Sequence, residues 1–201
     1  MRRTLSTLLL AVALLAPAQA QTTGTPADHD ALRQLKADVV TAINTRDHAM
    51  TGKVLARPFM ATVITQDSFT EVDKVKAYFD SLFTRSFLAI RSIRIEAEAD
   101  DFATIQEGTF AFAKGGTKER YEMADGRIFD MAGRWTAVAQ KQDGAWKVAS
   151  IHAGVNFLDN PVIAAIEKSL VWFGAGGLAL GLVVGFGAGW FTGRRGAARG
   201  V

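Results

Sequence analysis

Arg134-Trp135-Thr136-Ala137-Val138-Ala139-Gln140-Lys141-Gln142, then Asp143-Gly144, then Ala145-Trp146-Lys147-Val148-Ala149-Ser150-Ile151-His152, reads as one β-hairpin. Both arms are rich in strand-forming residues, and Asp-Gly between two such runs is a strong signal for a two-residue turn. With Asp143 and Gly144 as the loop, Gln142 pairs with Ala145. Counting outward sets Ala139 against Val148, Ala137 against Ser150 and Trp135 against His152. Directly opposed residues share a face of the sheet. One face therefore reads Trp135, Ala137, Ala139, Val148, Ser150 and His152, and the other Arg134, Thr136, Val138 and Gln140, then Lys147, Ala149 and Ile151. Two alanines and a serine beside a Trp and a His leave room, so the first face is expected to line a pocket. The assignment rests on register: a one-residue bulge would exchange the faces.

Upstream of the hairpin the periodicity is helical first and strand-like later. Thr25-Pro26-Ala27-Asp28 offers a cap, and Leu32, Leu35, Val39 and Ile43 then recur at helical spacing to about Asn44. Asp47 caps a second short helix through Leu55, and Arg57-Pro58 breaks it. Phe59 to Thr65 reads as a strand, and Gln66 to Thr70 as a turn or a short strand. Glu71 opens a third helix with Val72, Val75, Phe79 and Leu82 on one side. After Arg85 the period becomes two: Ile90, Ile93 and Ile95 sit in a strand running into Glu96–Asp101. Thr104 to Lys114 is a second strand closed by Gly115-Gly116, Lys118 to Met123 a third, and Asp125-Gly126 a turn. Helices followed by an antiparallel sheet predict an α+β domain, spanning residues 27–160.

Leu55-Ala56-Arg57-Pro58-Phe59-Met60-Ala61-Thr62 with Lys74 to Phe79, Gly133 to Val138, and Asp143-Gly144-Ala145-Trp146-Lys147-Val148 together resemble the SnoaL-like, or nuclear transport factor 2-like, superfamily. The resemblance implies a cone: a curved antiparallel sheet wrapped around the N-terminal helices, open at one end as a pocket. It also implies a homodimer paired through the sheets and a possible small-molecule ligand. The superfamily holds isomerases, dehydratases, hydrolases and pure binding modules, so the fold does not name a function. The ketosteroid isomerase branch needs a carboxylate base and a phenol. By the same resemblance those positions fall at Thr65 and Val39, and neither side chain can do that work.

His152 is the catalytic candidate, as a pocket base or hydrogen-bond donor; a histidine closing the sheet end on backbone fits the same position. Tyr78 and Tyr121 are phenols able to point inward, with Tyr78 also placed to pack the third helix beside Phe79. Asp67 reads as a turn former ahead of Ser68. Glu96, Glu98 and Asp100 alternate onto one face, which suits a solvated sheet edge better than a cation site. With no Cys and three scattered His, neither a metal site nor a cofactor is expected.

The two ends of the chain are of a different character. Residues 1–20 have a basic start (Arg2, Arg3), the apolar run Leu8 to Leu15 and Ala18-Gln19-Ala20, the form of a cleaved secretory signal peptide. Ser169 to Phe191 holds no charged residue, and Trp172 and Trp190 mark its ends. Twenty-three helical residues reach roughly 34 Å, enough for a bilayer core of about 30 Å. Asn160-Pro161 starts that helix well. Residues 161–191 are thus expected to be a juxtamembrane and transmembrane helix, and 192–201, with Arg194, Arg195 and Arg199, a basic cytoplasmic tail. The domain would then face outward, on the periplasmic side in a bacterium. Gly177, Gly181, Gly185, Gly189 and Gly193 recur every four residues, a spacing that lets two membrane helices approach closely.

The net charge of +3 says little about the domain. Six of the 23 Lys and Arg (Arg2, Arg3, Lys168, Arg194, Arg195, Arg199) and one of the 20 acids (Glu167) lie outside residues 28–160, leaving 17 against 19. Nucleic acid is therefore not an expected partner. The sequence points to a non-catalytic, membrane-anchored module binding a small molecule or a protein. The alternative is an isomerase, dehydratase or hydrolase-type enzyme using His152 on a small apolar substrate.

Overall fold

The computed structural model describes residues 24–86, 88–156 and 158–197, with the side chains of the last helix described to Trp190. The signal peptide expected over residues 1–20 and the end of the basic tail lie outside the described residues. Helix α1 (Pro26–Thr45) begins with a capping box: Thr25 Oγ1 accepts the Asp28 N–H, and the Asp28 carboxylate reaches back to Thr25. Helix α2 (His48–Val54) is capped by Asp47, whose carboxylate accepts from the Ala49 and Met50 N–H groups. Strand β1 (Leu55–Thr62), the short β2 (Ser68–Phe69) and helix α3 (Val72–Thr84) follow. Strands β3 (Ile90–Ala99), β4 (Thr104–Gln106), β5 (Phe110–Met123), β6 (Ile128–Gln142) and β7 (Ala145–Val155) complete the domain.

Among the described residues these strands form one seven-stranded sheet, ordered β2-β1-β7-β6-β5-β3 with β4 on β5. With helices packed inside the curve, it is the expected α+β cone. Beyond shifted bounds, such as β1 starting at Leu55 and carrying Arg57-Pro58 where the strand was expected from Phe59, two details differ from the sequence reading. First, β1 runs parallel to β7, so the sheet is mixed; the remaining ladders are antiparallel. Second, β5 runs straight through Gly115-Gly116, where a strand end was expected. Those glycines serve the neighbouring strand. A Cβ on Gly115 would lie 2.5 Å from the Trp135 ring, and the Trp135 indole N–H donates to the Gly116 carbonyl at 3.2 Å. The chain instead turns back between β4 and β5, at Glu107-Gly108, both at positive φ.

Helix α1 straps the concave face. Near one end, Asp28 accepts from Lys141 Nζ at 2.7 Å and from the Trp146 indole at 3.0 Å, fixing the helix to the β6–β7 hairpin. Near the other, Asn44 pairs with the backbone of Ile95 in both directions (2.7 and 2.9 Å), as a neighbouring strand would. The interior holds two buried clusters. One is built on Leu35, Leu55, Phe59, Val75, Ile105, Trp146 and Val148, the other on Leu82, Ile90, Ile93, Tyr121, Met123 and Phe129.

Helix α4 (Pro161–Ala197) leaves the domain with almost no linker. Asn156 Oδ1 accepts from the Leu158 and Asp159 N–H groups, and Asn160 Oδ1 accepts from Val162 N–H at 2.9 Å. Val162 and Ala165 pack on the second cluster. Its stretch Pro161–Trp190 is long and apolar enough to cross a membrane. The helix continues six residues past 191, so the start of the predicted basic tail is helical. At Gly177, Gly181 and Gly185 a Cβ would meet nothing within 4 Å.

Candidate ligand cavity

The concave face is short of side-chain volume. Ala113, Ala137, Ile151 and Ala61 lie side by side across four strands, and Ala111, Ala139, Val148 and Leu55 form the next row. Gly115, Trp135 and Ala153 form the row on the other side. Small residues on a wall bridged by helices leave a cavity of about 830 Å³. Val39, Thr65, Tyr78, Phe79 and Ile93 also border it.

Trp135, Ala137 and Ala139 stand on this wall, but Ser150 and His152 do not. The register holds from Gln142–Ala145 to Ala139–Val148 and then slips: Val138 pairs with Ser150, Ala137 with Ile151 and Trp135 with Ala153. The extra residue, Ala149, is a bulge. It turns Ile151 and Ala153 inward and sends Ser150 and His152 to the outer face, where His152 is exposed beside Thr136 and Thr62. This corrects the expected pocket lining and removes His152 as a base inside the cone. Of the other histidines, His29 stacks edge-on against Phe102, and His48 lies 3.3 Å from Asp80, which also binds Arg46 at 2.8 Å. That trio links the α1–α2 turn to α3 at the surface.

The polar groups of the wall form two chains. In one, Thr65 donates to Asp67 at 2.7 Å, which leaves its oxygen to accept from the Tyr78 phenol at 2.9 Å. Burial pushes the Tyr78 phenol above its ordinary ionisation range. In the other, Glu119 accepts from Thr117 Oγ1 at 2.6 Å and from the Tyr121 phenol. Burial first, then the Glu119 charge and this hydrogen bond, drive the Tyr121 phenol far above its usual range. Glu119 is 5% exposed. The neighbouring strand yields space for it: a Cβ on Gly133 would fall 2.4 Å from Thr117 Oγ1 and 2.7 Å from Glu119 Oε1.

Glu119 and Thr117 escaped the sequence reading; for Thr117 the obstacle was the strand break placed at Gly115-Gly116. Continue the two-residue period from Ala111 and Ala113 through the glycines, and Thr117, Glu119 and Tyr121 fall on the same face. The Thr65 and Val39 positions do lie at the cavity, without the groups an isomerase of that branch requires.

No protein-family model and no curated protein matches the chain. Solved structures do. A type 2 hexachlorocyclohexane dehydrochlorinase (LinA) superposes with a TM-score of 0.57 at 10% identity, covering 65% of this chain and 86% of its own. A scytalone dehydratase-like protein from Novosphingobium aromaticivorans gives 0.56 at 12% identity, covering 65% and 85%. An uncharacterised protein with a cystatin-like fold from Caulobacter vibrioides gives 0.52 at 20% identity, covering 70% and 96%. At such identities the likeness is one of fold: the chain has the cone fold of nuclear transport factor 2-like proteins.

Proposed function

We propose that this chain is a membrane-anchored, extracytoplasmic module whose cone holds a small, largely apolar molecule without turning it over, and that it works as a homodimer. The observation that carries the reading is the cavity, about 830 Å³ behind an alanine-rich wall, within the usual range for small-molecule sites. Acid/base catalysis needs a group free to exchange a proton with the substrate. Tyr121 commits its proton to Glu119 and Tyr78 to Thr65; of the histidines at the cavity, His48 is engaged by Asp80 and His29 packs on Phe102, while His152 lies outside. Helix α4 supplies the anchor, and Arg194, Arg195 and Arg199 behind it favour a cytoplasmic C-terminus. Met60, Phe112 and Phe110 are exposed on the outer face of the sheet, an apolar surface suited to a second copy.

The test is a titration of the full chain in lipid nanodiscs with adamantan-1-ol, read by tryptophan emission, since Trp135 borders the cavity. Saturable one-to-one binding, lost in Ala137→Phe, is expected. Absence of saturable binding by adamantan-1-ol, naphthalen-2-ol and cyclohexanol alike overturns the reading. Protease shaving of right-side-out membranes tests the topology: the domain should be digested and a C-terminal tag spared.

A second reading, an enzyme in the same cavity, is favoured by the contact between Glu119 and Tyr121 and by neighbours described as a dehydrochlorinase and as dehydratase-like. It makes Glu119 the base in place of His152. Turnover of any ligand that the wild type binds, abolished in Glu119→Gln, would establish it.

A further inference from the structure

Glu119 is a buried carboxyl group held by hydroxyls alone. Its partners among the described residues are two hydroxyls, Thr117 and Tyr121, with no ion pair. Most basic side chains around the cavity are engaged elsewhere: Arg33 with Asp30, Arg46 and His48 with Asp80, Lys76 with Asp73, and Lys36 with the Ala97 carbonyl. Arg85 also borders the cavity; its charge reaches Tyr78, and among the described residues it forms no ion pair with Glu119. Burying a carboxylate without a cation is costly.

The cluster also has a fixed polarity. Both hydroxyls spend their protons on the carboxylate, so what remains open on Thr117, Glu119 and Tyr121 is acceptor capacity. A carboxylate has about four acceptor sites, and two are filled. The cluster's neighbours across the ladders are apolar or aromatic: Ile95 and Met131 flank Glu119, and Ile93 and Phe129 flank Tyr121. Such a place suits a group that brings donors and a positive charge together, and an ammonium also gains from aromatic faces.

The geometry points to a ligand that is an amine on a compact apolar body, its nitrogen bound by Glu119 within the Thr117–Glu119–Tyr121 cluster and its body resting on the alanine wall. The inference deepens the cavity reading and rests on it. Three probes of one shape test it: adamantan-1-amine, adamantan-1-ol and adamantane-1-carboxylate, titrated against the full chain in nanodiscs of uncharged phosphatidylcholine. The amine should bind at least about tenfold tighter than the alcohol, the scale of one charge-assisted hydrogen bond, and the carboxylate should bind least. In Glu119→Gln the amine should lose that advantage while the alcohol keeps its affinity. The wild-type comparison decides the matter even if the variant fails to fold. Equal binding of amine and alcohol overturns the inference and leaves the cavity reading standing. If neither binds, the inference falls, and the cavity reading falls with it when naphthalen-2-ol and cyclohexanol also fail to bind.

Discussion

Ala137→Phe separates an open cavity from a packed core by the sign of its effect. Ala137 lies between Ala113 and Ile151 on the concave wall and is half-buried. A phenyl ring there projects into a space of about 830 Å³. Relative to Ala it buries roughly 100 Å² more apolar surface, worth at most about 2.5 kcal/mol. Ordering the ring returns about 0.5–1 kcal/mol, so a net gain of about 1–2 kcal/mol is expected. For a domain of this size that is a rise in Tm of about 3–6 °C. Were the wall packed, the added volume would instead cost about 1–3 kcal/mol. Thermal unfolding of the full chain in nanodiscs, followed by near-UV circular dichroism, reads the difference. A fall in Tm of several degrees refutes the argument that the alanine rows border open space.

Asp28 gives a pH signature. Hydrogen bonds from Lys141, Thr25 and Trp146 hold its carboxyl well below the usual carboxylate range, so its contribution is full above the unfolded value of about 3.9 and is lost as pH falls towards the folded one. Wild type should therefore lose Tm below about pH 4 more steeply than Asp28→Asn; parallel curves would contradict this. His152→Ala, on the outer face, should leave probe binding unchanged, and a loss of binding would contradict the bulge at Ala149. Gly181→Ile with Gly185→Ile should weaken self-association of the full chain in a membrane cross-linking assay; unchanged association makes α4 a tether only.

The hairpin shows how far the sequence reached and where it stopped. Asp143 and Gly144 both adopt positive φ, 52° and 77°, as an Asp-Gly hairpin turn requires, and pairing follows the count from the turn out to Ala139–Val148. The bulge at Ala149 has no marker in its own residue type. It coincides with a shift in the ladder that β1 forms on the far side of β7, between Leu55 and Met60. Local pattern cannot see that long-range pairing. Gly115-Gly116 erred differently: two glycines are a turn signal in isolation, and only their neighbours across the ladders, the Trp135 ring on one side and the Glu98 carbonyl on the other, explain them as strand. Thr117 was hidden by that false boundary, whereas Glu119 lay within the expected strand Lys118–Met123, on the same face as Tyr121, and needed only the two-residue period to be read. The helix starts at Thr25 and Asp47, which are set by side-chain oxygens a few residues from their partners, were legible at once.

A ligand lying inside the cone has a direct signature. Methyl-labelled full chain in nanodiscs with adamantan-1-ol should give nuclear Overhauser contacts from the probe to Ala113, Ala137 and Ile151, and none to Met60 or Val138 on the outer face. Contacts confined to the outer face, or no contacts with Ala113, Ala137 and Ile151 at saturating probe, would contradict it.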